Sequence, residues 1–168
     1  MCGIIGEFGK TITPKSVFLE LQKLSTKRGS DMKGYFCNEN IQFGFNRLSI
    51  IDTTKNGNQP ISSPSGRYQI LCNGEIVNFN ELIDYLRIKP NALRSKSDTE
   101  VVAHAIDNWG IEKMLEQIRG MFAMSIFDNH ESKLYLVRDP AGIKPLYCAK
   151  TNEGWIFASQ YDQIFKHS

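Results

Sequence analysis

Apolar positions fall in short strand-like runs at both ends of the chain and take a helical spacing through the middle. Residues 3–9 (GIIGEFG) predict a short strand almost at the terminus. Thr13-Pro14 then reads as an N-cap followed by proline at the first helical position. Val17, Phe18, Leu21 and Leu24 recur on one helical face, and Arg28-Gly29 is expected to end that helix. Residues 41–50 (IQFGFNRLSI) and 68–76 (YQILCNGEI) predict strands, joined by the turn-rich segment TTKNGNQPISSPSGR. A short helix is predicted from Asn80 to Arg87. Ser97 with Glu100 has the spacing of a capping box, ahead of a stripe formed by Val101, Val102, Ala105, Ile106 and Trp109. Gly110 stops that helix, and Ile111 to Arg119 predicts another, stopped by Gly120. From Met121 onward the pattern returns to strands: MFAMSIF, KLYLVRD, PLYCAK and WIFAS. Sheet-forming runs at both ends with helices between them argue an α+β fold of mostly antiparallel strands.

Composition narrows the function classes. At 168 residues, with no repeat and no dividing linker, the chain reads as one domain over 1–168 with a core of useful size. Lysine and arginine number 20 against 18 aspartates and glutamates, and no basic run gathers, so neither nucleic acid nor an anionic membrane is indicated as partner. No apolar stretch approaches transmembrane length, and the N-terminus lacks a basic region followed by an apolar run, so the expected location is cytoplasmic. Cysteines stand at 2, 37, 72 and 148 without a CxxC or a His pair at ligand spacing, so no metal is expected. Cys37, Cys72 and Cys148 read as small buried thiols.

Cys2 is different. A small second residue favours removal of Met1, which would leave a thiol and an α-amine on one terminal residue. An α-amine has a reference pKa near 7.7–8.0, so roughly a quarter to two-fifths is neutral at pH 7.5 and can act as a general base without histidine. Taken alone, a second-position cysteine is more often incidental. Asn73-Gly74-Glu75 closes a strand; an Asn amide and a glycine N–H suit an oxyanion hole, although Asn-Gly is also the strongest short hairpin signal. Arg47 reads either as a solvated strand residue or as a planar fork for a carboxylate. Asp98 reads either as an acid complementing a helix dipole or as an anchor for an ammonium.

Together these residues occur in a known order. MCGIIGEFG, KRGSD, NRLSIID, GNQP, NGEIVN, SKSDTEV, GMFAMSIFD, RDPAGIKPLY and FASQ resemble, in sequence and spacing, the glutaminase domain of the asparagine synthetase B-like class II glutamine amidotransferases. The likeness runs from Met1 to about Phe165. It implies the four-layer αββα sandwich of N-terminal-nucleophile hydrolases. It also implies that Cys2 attacks the glutamine side-chain amide while Asn73 and Gly74 hold the oxyanion. Arg47 would bind the glutamine carboxylate, Glu75 and Asp98 its ammonium, and Arg28 would orient the Cys2 terminus. No cofactor is implied.

Four departures stand out: RGSD where the family has RGPD, Phe45-Asn46 ahead of Arg47 where it has an HxRL pattern, Val77 in place of tyrosine, and ASQ in place of ASE. The family's synthetase domain, with its pyrophosphate-binding SGGLDS-type loop, has no counterpart in this sequence. The chain is then either a stand-alone glutaminase subunit or a domain excised from a longer protein; the stand-alone subunit is expected, passing ammonia to a separate ATP-dependent synthetase that docks near Phe45-Asn46, Val77 and Gln160. Two other readings are a catalytically silent glutamine-binding regulatory module and a hydrolase of some other amide, for which an apolar pocket would replace Arg47 and Asp98.

Overall fold

The computed structural model describes residues 1–167. Nine strands form two antiparallel sheets. The first is ordered β2 (Met32–Cys37), β3 (Ile41–Arg47), β1 (Gly3–Gly9), β9 (Gly154–Ala158) and β8 (Tyr147–Lys150). The second is ordered β4 (Ile61–Ser62), β5 (Tyr68–Ile76), β6 (Gly120–Asp128) and β7 (Lys133–Arg138).

Alternation along the strands builds the layers, because successive side chains leave opposite faces of a sheet. Ile4, Ile41, Phe43, Phe45 and Phe157 of the first sheet meet Leu71 and Phe127 of the second, forming a buried layer between the sheets. Each such side chain contributes roughly 1.5–3 kcal/mol through burial. The opposite parity in β5 and β6, including Ile70, Cys72, Met124 and Ile126, packs beneath α3 (Asp98–Trp109) and the flanking α2 (Phe79–Leu86) and α4 (Ile111–Gln117). On the far side, Ile5 and Ala158 pack with Phe18 and Leu21 of α1 (Lys15–Lys23) and with Ile164 of α5 (Tyr161–Phe165). The result is a four-layer αββα sandwich, as expected.

Several local expectations are corrected. Thr13 does not cap α1: its N–H and hydroxyl both donate to the buried Glu7 carboxylate, at 2.9–3.1 Å, and Pro14 takes the cap position. The helix ends at Lys23 instead of continuing to Arg28. Asn46 Nδ2 donates to the Gln22 carbonyl at 2.7 Å, occupying an acceptor that the next turn would use, and the chain tightens into a 3₁₀ turn over Thr26–Arg28. The Ser97–Glu100 capping box does not form; Glu100 turns back to accept from the Arg94 and Ser95 N–H groups at 2.8 and 2.7 Å. Cys72 is buried, but Cys37 and Cys148 lie on edge strands and are exposed, so two of the three thiols read as buried are not.

Candidate active site

The same alternation that builds the inter-sheet core delivers the site. Cys2 continues the even-numbered parity of Ile4 in β1 and packs against that core. Arg47 ends β3 on the parity of Ile41, Phe43 and Phe45. Asn73 shares the parity of Leu71 in β5. The residue before β1, the end of β3 and the interior of β5 therefore bring a thiol, a guanidinium and a carboxamide to one pocket at the edge of the gap between the sheets.

Cys2 is half-buried beside the more exposed Met1. Burial pushes its thiol above the ordinary range, and the positive charges of the chain terminus and of Arg47 pull it partly back. The Cys2 thiol lies 3.7 Å from the Leu48 carbonyl, while Arg28 Nε donates to the Cys2 carbonyl at 3.0 Å. Arg28 thus holds the terminal segment through its backbone.

Asn73-Gly74 is not a hairpin turn. Both residues lie inside β5, with Asn73 opposite Ala123 and Gly74 opposite Phe122 of β6. Glycine is required at 74 by close approach: a Cβ there would stand 2.4 Å from the Met121 carbonyl oxygen and 2.6 Å from Phe122 Cα. Asn73 is 1% exposed, and its Nδ2 has no hydrogen-bond partner among the described residues. A buried donor without an acceptor costs about 1–3 kcal/mol. This one belongs to a residue that lines the pocket beside Cys2.

Arg47 is buried, which overturns the solvated-strand reading. Its guanidinium donates to the Asp52 carbonyl, to the Thr54 carbonyl at 2.6 Å and to Met32 Sδ at 3.6 Å. A guanidinium carries five N–H donors, so a carboxylate arriving in the pocket would take the other two. Asp98 is buried at the start of α3, accepting from the Ile76 N–H and the Thr99 N–H at 2.7 and 2.8 Å. Burial, together with the charge of nearby Glu75, raises its carboxyl above the usual range in spite of those two bonds. Glu75 is exposed at the pocket wall. Asp98 and Glu75 therefore make an anionic wall whose repulsion a cationic group would relieve.

The structure adds residues that the sequence reading passed over. Asp52, Gln59 and Lys144 also line the pocket. Gln59 clamps the backbone immediately before Asn73, donating to the Cys72 carbonyl at 3.1 Å and accepting from the Cys72 N–H at 2.6 Å. Its signal was the GNQP motif, and that of Asp52 was NRLSIID; both motifs were noted without assigning the residue. The expected docking face is corrected: Phe45 and Asn46 are fully buried and offer nothing to a partner, Gln160 is half-buried, and Val77 is exposed. Among the described residues no cluster of three or more His, Cys, Asp or Glu could hold a metal, and no helix is long and apolar enough to cross a membrane.

Comparison with known proteins agrees with this geometry. The chain is similar to the asparagine synthetase (glutamine-hydrolyzing) 1 of Bacillus subtilis, 40% identical over 165 residues that cover 95% of this chain and 26% of that protein. It is also similar to the asparagine synthetase (glutamine-hydrolyzing) of Zea mays, 32% identical over 95% of this chain and 27% of that protein. The chain thus spans about a quarter of the length of these relatives. In fold it is similar to the glutamine phosphoribosylpyrophosphate amidotransferase of B. subtilis, with a TM-score of 0.80 at 22% identity over 98% of this chain and 43% of that one. The glutamine amidotransferase domain family matches residues 1–168, the full sequence, and the chain belongs to that family.

Proposed function

We propose that this chain is a single glutaminase domain in which Cys2, freed of Met1, hydrolyses the side-chain amide of glutamine to glutamate and ammonia. The observation that carries the reading is the buried, unpartnered Nδ2 of Asn73 in the pocket that holds the Cys2 thiol. A donor left idle in the resting protein is matched to an acceptor that exists only during the reaction. A module that merely binds glutamine has no need of it.

Removal of Met1 turns the Cys2 amide nitrogen into a free amine. That amine takes the thiol proton as the sulfur attacks the amide carbon, and the carbonyl oxygen becomes an oxyanion held by Asn73 Nδ2–H and the Gly74 N–H. The tetrahedral intermediate collapses when the protonated amine gives its proton to the departing nitrogen, releasing ammonia and leaving a glutamyl thioester. Water then attacks the thioester, the amine accepts its proton, and glutamate leaves with the thiol restored. A buried thiol with a raised pKa needs such a base at neutral pH. Arg47 takes the substrate α-carboxylate, and Asp98 with Glu75 takes the α-ammonium. Arg28 holds the terminus in place.

Ammonia protonates readily and escapes to water, so the product is of use to an acceptor site nearby. The similar proteins are about four times as long and are named as glutamine-hydrolyzing asparagine synthetases. We therefore assign the ammonia to an ATP-dependent synthetase module that works with this domain. The test is production of glutamate and ammonia from glutamine by purified protein lacking Met1. Absence of both products, with glutamine bound, would support the silent module instead.

A further inference from the structure

We infer that Asp52 is a positioning residue that couples the two substrate-binding arms of the pocket, Arg47 on β3 and Asp98 on α3; the inference rests on the proposed glutamine site. Asp52 is buried and bonds both Arg47 and the segment that leads into Asp98. Its carbonyl accepts from the Arg47 guanidinium, so its backbone fixes the fork. One carboxylate oxygen accepts from the Thr54 N–H at 2.7 Å, which holds in place the Thr54 carbonyl that also receives Arg47. The other accepts from the Lys96 N–H at 2.7 Å, two residues before Asp98. A single side chain thus ties the loop that holds the carboxylate fork to the segment that launches the ammonium anchor.

Two neighbours support the same link. Asn56 Nδ2 donates to the Arg94 carbonyl at 2.9 Å, a second stitch between the same segments. A Cβ on Gly57 would stand 2.4 Å from Arg47 Nη2 and 3.1 Å from Asp52 Cβ, so the loop closes directly over the guanidinium. The Asp52 carboxyl sits below the usual range: burial opposes ionisation, but the Thr54 hydroxyl and the N–H groups of Lys96 and Thr54 outweigh it. It therefore holds these donors as a full charge at neutral pH. The Asp52 carboxylate bonds the backbone at Thr54 and Lys96 and not Cys2, so its loss should spread the distance between the two arms without touching the nucleophile.

The test compares glutamine binding and thiol reactivity. In the Cys2→Ala background, calorimetry should show the Kd for glutamine rising roughly tenfold to a hundredfold on Asp52→Ala, the scale of one weakened hydrogen bond to a charged group. Asp52→Asn, which keeps the volume and one acceptor, should fall between the two and decides the matter if Asp52→Ala does not fold. With Cys2 intact, KM should rise while kcat holds within a few-fold, and alkylation of Cys2 by neutral iodoacetamide should proceed at the parent rate. Unchanged glutamine affinity in both variants would overturn the coupling role alone. Equal losses in iodoacetamide reactivity and in affinity would show a general structural role and overturn it as well. No glutamine binding to the Cys2→Ala parent would instead remove the glutamine site and this inference with it.

Discussion

The smallest unit on which the proposed chemistry turns is the Asn73 side chain. In a well-packed strand a carboxamide normally finds partners for both of its ends, yet here the NH₂ group has none among the described residues. Asn73→Ala should therefore lower kcat by about a hundred- to a thousandfold with little change in KM, the signature of a donor used only in the transition state. Steady-state kinetics decides it: a KM effect without a kcat effect would move Asn73 from the oxyanion to ground-state binding. Cys2→Ala should abolish glutaminase activity while circular dichroism stays unchanged. Exposure alone would favour Cys37 and Cys148 as targets of a nonselective electrophile. A glutamine-mimicking diazo-ketone should nonetheless modify Cys2, because that thiol shares a pocket with Arg47 and Asp98 and, unlike Cys72 in the wall of the same pocket, is not fully buried. Peptide mass mapping that found the label on Cys37, Cys72 or Cys148 would remove Cys2 as nucleophile.

At the scale of elements, the chain announces its strands more clearly than its junctions. The runs at 3–9 and 68–76 are strands over the residues expected, since each alternates into a continuous apolar layer. The strand expected over 41–50 stops at Arg47, where the guanidinium gathers the following loop. Strand β2 (MKGYFC) was not foreseen: it is an edge strand that buries neither face fully and carries a lysine and a glycine. Helix α5 is only five residues long, too short to show a period. Caps were misjudged for one reason, that buried acids outcompete local partners: Glu7 captures Thr13, and Glu100 captures the 94–95 backbone. The same class of contact predicts acid sensitivity. Burial works against ionisation of Asp128, but Arg67 at 2.6–3.0 Å and the N–H groups of His130 and Glu131 outweigh it and lower its carboxyl. A lowered folded pKa means that the stabilisation is present above the unfolded value, near 3.9, and is lost as pH falls through the folded one. Thermal melts should therefore show a steep loss of Tm below about pH 4. Asp128→Asn should have a lower Tm at pH 7 and a shallower acid limb, and an acid limb of unchanged slope would show that this link does not contribute.

At the scale of the whole molecule, the two sheets place a reactive terminus at the mouth of a gap whose interior is filled by Phe43, Phe45, Phe127 and Phe157. That arrangement followed from the family likeness and not from periodicity, which gave strands but could not say how two sheets face each other. It leaves Met1 exposed at the pocket, where its removal meets no packing barrier. Mass spectrometry of the active protein should show the chain starting at Cys2, and full activity with Met1 retained would rule out the terminal amine as base. Ile50 in the pocket lining is exposed, and so, just past the end of β5, is Val77 at 62%. Val77 lies three residues beyond Gly74 but does not line the pocket, so it can serve a partner without serving glutamine. A domain whose product is useful only to a neighbour gains from staying slow until that neighbour is docked. Low basal glutaminase activity should therefore rise when the cognate ammonia-using synthetase module is added with its ATP and acceptor. Val77→Asp should keep the basal rate and lose the stimulation, since a charge at this exposed apolar position opposes apolar docking and leaves the pocket untouched. Assays of ammonia release with and without the module give the answer: full stimulation in Val77→Asp would place the contact elsewhere, and high activity in isolation with no stimulation would leave a free-standing glutamine hydrolase.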